Sequence, residues 1–119
     1  ASSIKGWPYG AAAELISKQS LEIINSSTKD SFYQEHTIPY FFDHMDDFNI
    51  KQLKAPDNIN RPNYYFTVDY PEDLELVRKI FKNLCINGDY FSFKEVVELL
   101  DTCPELLDIN KHLHEGFDR

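Results

Sequence analysis

The feature that most constrains this chain is a proline set directly behind an aromatic run that ends in an acid. Residues 63–84 read NYYFTVDYPEDLELVRKIFKNL. Tyr64 to Val68 are aromatic and β-branched, which suits a buried strand, and Asp69 closes it. Pro71 lacks the N–H that a first helical position would leave unpaired, so the pattern predicts that a helix starts there. Glu72 and Asp73 place negative charge in its first turn, where the helix dipole favours it. Leu74, Val77, Phe81 and Leu84 recur at spacings of three and four and predict the apolar face. The expected unit is a strand that presents Asp69 at a sheet edge and turns at once into a helix, which is where open α/β sheets bind ligands.

The 119 residues have room for one small domain, and 42% hydrophobic content, with nine Phe, seven Tyr and one Trp, can fill a modest core. A net charge of −8 argues against an extended nucleic-acid surface. No apolar run reaches membrane-spanning length and no charged-then-apolar leader opens the chain. Cys85 and Cys103 lack CxxC spacing and read as free thiols of a reducing compartment, so the cytoplasm is expected. The sequence opens at Ala1 without Met, which reads as a trimmed chain or the back half of something larger.

In chain order, Lys5 to Gly10 brackets two aromatics with two glycines and a proline, marking a turn or loop. Ala11 to Ile16 reads as a strand whose small side chains let a ligand come close; Glu14 is its lone charge, either an outward position or a carboxylate for a polar ligand. Ser17 caps a helix through Asn25 with Leu21 and Ile24 facing inward, and 25–29 is a loop. Ser31 to Gln34 matches a capping box, so a second helix starts near Phe32 and is kinked or broken by Pro39. Phe48 to Leu53 reads as a short edge strand and Lys54 to Pro62 as a loop. A break follows at Asn87 to Asp89. Ser92 to Glu95 is a second capping box, opening a helix that buries Phe93, Val96, Val97 and Leu100. Pro104 restarts a brief helix through Leu107, Asn110 is a stop signal, and residues 111–119 form a polar tail.

No glycine-rich phosphate loop, GxGxxG or GxSxG elbow is present, and neither cysteine has a nearby His in sequence, so nucleophilic catalysis has no support. His36 and His44 with Asp43, Asp46 and Asp47 match neither HExxH nor a calcium loop, and 43–47 reads as a solvated helix end. Asp69 remains, either as a helix cap or as an oxygen ligand for a hard divalent cation.

Four segments in shared order then resemble the C-terminal half of the cytidylyltransferases that make CMP-activated sugars. They are Gly10-Ala11-Ala12-Ala13-Glu14, Glu35-His36-Thr37-Ile38-Pro39-Tyr40, Thr67-Val68-Asp69-Tyr70-Pro71-Glu72-Asp73-Leu74-Glu75, and Pro104-Glu105-Leu106-Leu107-Asp108-Ile109-Asn110. The chain is most similar to the spore-coat polysaccharide biosynthesis branch, with acylneuraminate and Kdo cytidylyltransferases as relatives. The resemblance implies an α/β fold, the C-terminal portion of a Rossmann-like nucleotidyltransferase with a mixed sheet flanked by helices. Residues 1–110 would be the sugar-binding and metal-completing part, and 111–119 the tail.

In that family a sugar attacks the α-phosphate of CTP and releases pyrophosphate, with magnesium neutralising charge. By resemblance Asp69 matches the metal-binding aspartate, for Mg2+, and Glu14, Glu35 and His36 match segments lining the sugar side; no catalytic residue is assigned. Tyr70 stands where many relatives have Thr, so the helix start is expected to be looser, and Gln34 stands where an Arg often precedes Glu-His. The N-terminal nucleotide-binding half is absent, so the chain is expected to be inactive alone, with CTP and sugar as partners of the intact protein, and a homodimer is implied. Two alternatives remain: a non-catalytic protein-interaction module on the same scaffold, and a nucleotide-sugar pyrophosphorylase of other base specificity.

Overall fold

Helix caps account for most of the regular structure. In the computed structural model, which describes residues 5–86 and 88–114, Ser17 accepts the Ser20 amide at 3.1 Å and starts α1 (Lys18–Ser27). The helix outlasts the expected end at Asn25, and the Ser26 and Ser27 hydroxyls donate back to the Ile23 carbonyl at 2.8 and 2.7 Å. Asp30, rather than Ser31, caps α2 (Ser31–Glu35) by accepting the Phe32 amide. The chain breaks at His36 and resumes as α3 (Thr37–Asp43), followed by a 3-10 turn at Met45–Asp47. Pro39 therefore falls in the first turn of α3, where backbone N–H groups have no intrahelical partner to lose.

These elements belong to one of two compact units, formed by Ala13–Leu53 among the described residues. Its core is Ile24, Tyr40 and Phe41, with Ile16, Tyr33, Ile38, Phe48 and Ile50 packed around them. Rings dominate. Phe41 meets Phe48 edge-on at 4.7 Å, and Tyr33 meets Tyr40 at 5.1 Å. Leu21, expected inside, is exposed.

The second unit comprises residues 5–12 and 54–114. It contains α4 (Pro71–Leu84), α5 (Phe93–Thr102), a 3-10 segment at Pro104–Ile109 and the short α6 (Lys111–His114). Ser92 and Glu95 form the expected capping box: Ser92 Oγ accepts the Glu95 amide and Glu95 accepts the Ser92 amide. α4 packs on α5 and on the 3-10 segment. Leu76, Ile80, Val96 and Leu100 make the shared core, with Tyr64, Phe66 and Phe93 packed against it.

The buried face of α4 is not the expected one, although Leu84 of the expected set packs against the core. Asp73, Leu76 and Ile80 point inward, whereas Leu74 and Phe81 are exposed, Phe81 lying edge-on to Phe91 at 5.0 Å. Both sets obey helical spacing, so the sequence pattern does not choose between them. The interior offers hydrogen-bond donors to a carboxylate, and that lets the face carrying Asp73 turn in.

The expected mixed sheet is overturned. Among the described residues there is no strand, only two isolated parallel bridges, Lys5 with Lys54 and Tyr9 with Tyr65. Ala11–Ile16, Phe48–Leu53 and Tyr64–Val68 all lack strand structure. An α/β sheet of Rossmann type needs parallel neighbours on both sides and cover on both faces. Here residues 64–66 have one short neighbour. Tyr9 donates to the Tyr64 carbonyl and accepts from the Phe66 amide, both at 2.8 Å, and the pairing stops. Val68 is already half exposed, and Leu15 is fully exposed.

Gly10 explains how the two segments lie so close. Its φ is +84°, and a Cβ there would sit 2.8 Å from the Thr67 backbone nitrogen. Only glycine tolerates both conditions. No described helix is long and apolar enough to cross a membrane.

Candidate functional site

Asp73 occupies the third position of α4, within the first turn that Pro71 starts, and is 1% exposed. A buried carboxylate without partners would be costly. Each of its oxygens has two donors. Oδ2 accepts the backbone amides of Asp69 at 3.1 Å and Tyr70 at 2.9 Å. Oδ1 accepts Asn110 Nδ2 at 2.8 Å and His114 Nε2 at 2.9 Å. Burial pushes the carboxyl up, but the bonds from His114, Asn110 and the two amides outweigh it and hold it at about 2. The group is therefore ionised and acceptor-only, so His114 Nε2 carries the hydrogen in their bond.

The partners are themselves fixed. Asn110 also donates to the Tyr65 carbonyl at 3.3 Å, and the His114 ring stacks on Tyr65 with centroids 4.3 Å apart and planes within 6°. Asn110 and His114 are buried and four residues apart, so one turn of chain presents both to the same carboxylate. Tyr70 makes no side-chain cap. The loose helix start expected from the missing hydroxyl is offset, because Asp73 ties down the amides of Asp69 and Tyr70.

Asp69 itself is exposed, with its backbone held by Asp73. Two residues earlier, the Thr67 hydroxyl oxygen is buried with no hydrogen-bond partner among the described residues. Glu14, Glu35 and His36 belong to the first unit and are all exposed. His36 Nε2 lies 4.0 Å from Glu35 and its ring is edge-on to Phe32. Glu35 and His36 are thus neighbours, whereas Glu14 sits in the segment without regular structure ahead of α1.

Among the described residues, no group of three His, Cys, Asp or Glu side chains could hold a metal ion. Within the 43–47 cluster, His44 Nδ1 bonds the Tyr40 carbonyl at 2.9 Å and its ring stacks on Tyr40, Asp43 accepts the Tyr33 hydroxyl, and Asp46 and Asp47 are exposed. For magnesium, Asp69 offers one exposed carboxylate on a fixed backbone. That fits a contributor to a site whose other ligands are waters, phosphates or a second carboxylate, as magnesium prefers. It is not a complete site.

From sequence alone Asp73, Asn110 and His114 look like dipole charge, a stop signal and part of a polar tail. Two signals were present. A carboxylate at the third helical position reaches back to amides ahead of the helix, and Asn110 and His114 share the i, i+4 spacing of one face.

Neither a family model nor a solved structure matches the chain. Two curated proteins are similar to it. One is an uncharacterized protein of Methanocaldococcus jannaschii, MJ1063, 25% identical over 114 residues, which are 95% of this chain and 46% of that protein. The other is the spore coat polysaccharide biosynthesis protein SpsF of Bacillus subtilis, 27% identical over 99 residues, 82% of this chain and 41% of that protein. The chain thus spans less than half the length of these relatives, and its resemblance to SpsF is a distant one.

Proposed function

We propose that this chain is part of a nucleotidyltransferase that activates a sugar for surface polysaccharide synthesis, using CTP. A sugar hydroxyl would attack the α-phosphorus, the bond to the bridging oxygen would break, and pyrophosphate would leave. The observation that carries this reading is the similarity to the spore coat polysaccharide protein. A match of 99 residues within 119 necessarily includes the stretch around Asp69 and Asp73.

In this reading Asp69 supplies one carboxylate oxygen to a magnesium ion whose remaining partners are phosphate oxygens, waters and groups outside this chain. Magnesium supplies charge neutralisation at the phosphates. Glu14, Glu35 and His36 contact the sugar by hydrogen bonding. The base is read by a nucleotide-binding half outside these residues, so this chain alone does not turn over CTP, and the intact protein acts as a homodimer in the cytoplasm.

The test is Asp69→Asn in the intact protein, followed by pyrophosphate release with CTP and candidate sugars. Loss of one metal-ligating carboxylate is expected to lower turnover by about two orders of magnitude or more, with circular dichroism unchanged. Near-normal turnover would return Asp69 to a backbone role.

A further inference from the structure

We infer that Asp73 is the positioning residue of the Asp69 loop, and that the C-terminal turn holds it in that role through Asn110 and His114. The inference rests on the reading of Asp69 as a metal ligand.

A helix start needs no buried acid. An exposed Glu in the first turn satisfies the dipole and the amide of the capping residue, as Glu95 does for Ser92 on α5. Asp73 is instead 1% exposed and divided between two tasks. Its Oδ2 fixes two successive amides, those of Asp69 and Tyr70. The peptide unit on each side of the Asp69 Cα is thereby restrained, and the exposed Asp69 carboxylate leaves a fixed origin. Restraint of this kind is what a ligand needs in order to meet an ion without losing orientational freedom on binding.

Its Oδ1 faces inward, where only Asn110 and His114 compensate the charge among the described residues. Those bonds span 37 and 41 positions. The C-terminal turn is consequently part of the apparatus that sets Asp69, although neither Asn110 nor His114 reaches it. Removing the His114 donor leaves Oδ1 with one partner. The carboxylate is then free to rotate toward other donors, and the amide bonds on Oδ2 loosen.

The experiment uses the intact protein with His114→Ala, His114→Gln and Asn110→Ala, and reads amide hydrogen exchange by NMR. In His114→Ala, the amides of Asp69 and Tyr70 should exchange about ten-fold faster or more, while those of α4 from Leu76 to Ile80 keep their rates. His114→Gln retains an N–H donor and should recover part of the protection. Pyrophosphate release should show a fall in kcat of about ten-fold with the KM for sugar unchanged.

Wild-type exchange at Asp69 and Tyr70 in His114→Ala would overturn the inference whatever the activity. If that variant fails to fold, Asn110→Ala provides the same readout from the other donor, and unchanged amides there are equally decisive. Accelerated exchange together with a fully active Asp69→Asn would instead remove the catalytic reading of Asp69, and with it Asp73's positioning role, leaving only a structural tie.

Discussion

The two units solve the problem of satisfying polar groups in opposite ways. In the first, the hydrogen bonds that shape the helices are local: Ser17 to Ser20, Asp30 to Phe32, Ser27 to Ile23, and, over ten positions, Tyr33 to Asp43. In the second, side chains reach across 37 to 41 positions: Asp101 to Arg61 and Tyr64, and Asp73 to Asn110 and His114. The first unit's core mixes isoleucines with aromatic rings, whereas the buried centre of the second, around α4 and α5, is aliphatic. Local bonds form with the helix they serve. Long-range bonds exist only once the tertiary structure does, so the second unit can place a side chain such as Asp69 with more precision, and loses more when one partner is removed.

The largest effect should come from the aliphatic core. Leu100 is fully buried, and Leu100→Ala should cost about 2–5 kcal/mol through lost burial and the cavity left behind. Trp7 is the only tryptophan and lies in the second unit, so urea unfolding followed by its fluorescence reads this loss directly. A cost below 1 kcal/mol would mean that the second unit does not depend on its core as described.

A smaller effect should test the local character of the first unit. Ser17→Ala removes the α1 cap and should cost about 1 kcal/mol. Its signature is faster amide exchange in the first turn of α1, with the Tyr33–Asp43 bond and the aromatic core undisturbed. Exchange that rises throughout the unit would show its bonds to be cooperative after all.

The smallest effect concerns pH. Arg61 donates to both carboxylate oxygens of Asp101, and Tyr64 donates to one of them at 2.6 Å. The hydrogen bond from Arg61 first, and that from Tyr64 next, hold the Asp101 carboxyl below its ordinary range. A lowered folded value means that this stabilisation is present above the unfolded carboxylate pKa of about 3.9, and is lost as pH falls through the folded value. Because the pair is a third exposed, the contribution is modest and screened by salt. Comparing acid unfolding of wild type and Asp101→Asn at low and high salt should give curves that separate above the unfolded carboxylate pKa of about 3.9 and converge as pH falls below the lowered folded value. Coincident curves throughout would show the bridge to be ornamental.

Burial and desolvation, followed by the Asp101 bond, push the Tyr64 hydroxyl up to about 12. It therefore remains a donor across the same range.

How much of this was legible beforehand depended on the range of the interaction. Ser17, Ser92 with Glu95, and Pro71 marked helix starts where the structure has them, because a cap is decided within four residues. Val96, Val97 and Leu100 were readable as buried for the same reason: one amphipathic turn repeats itself. The stretch Tyr64–Val68 has strand composition, but a strand needs a partner, and the partner segment stops after Tyr9. β preference describes fit to a half-buried sheet surface, so it has little force where no sheet forms. On α4 the two competing faces were equivalent in spacing. Burial of Asp73 was decided by donors 37 and 41 residues away.

The sequence by itself determined the starts of α1, α4 and α5, the aliphatic stripe of α5, and the turn marked by Gly10. Each follows from propensities and steric limits that act within a few residues. Tertiary structure alone decided which face of α4 turns inward, that no sheet forms among the described residues, and that Asp73 rather than Asp69 is the buried acid. Those outcomes depend on whether a buried charge or an unpaired backbone meets its partners, and the partners are far away in sequence.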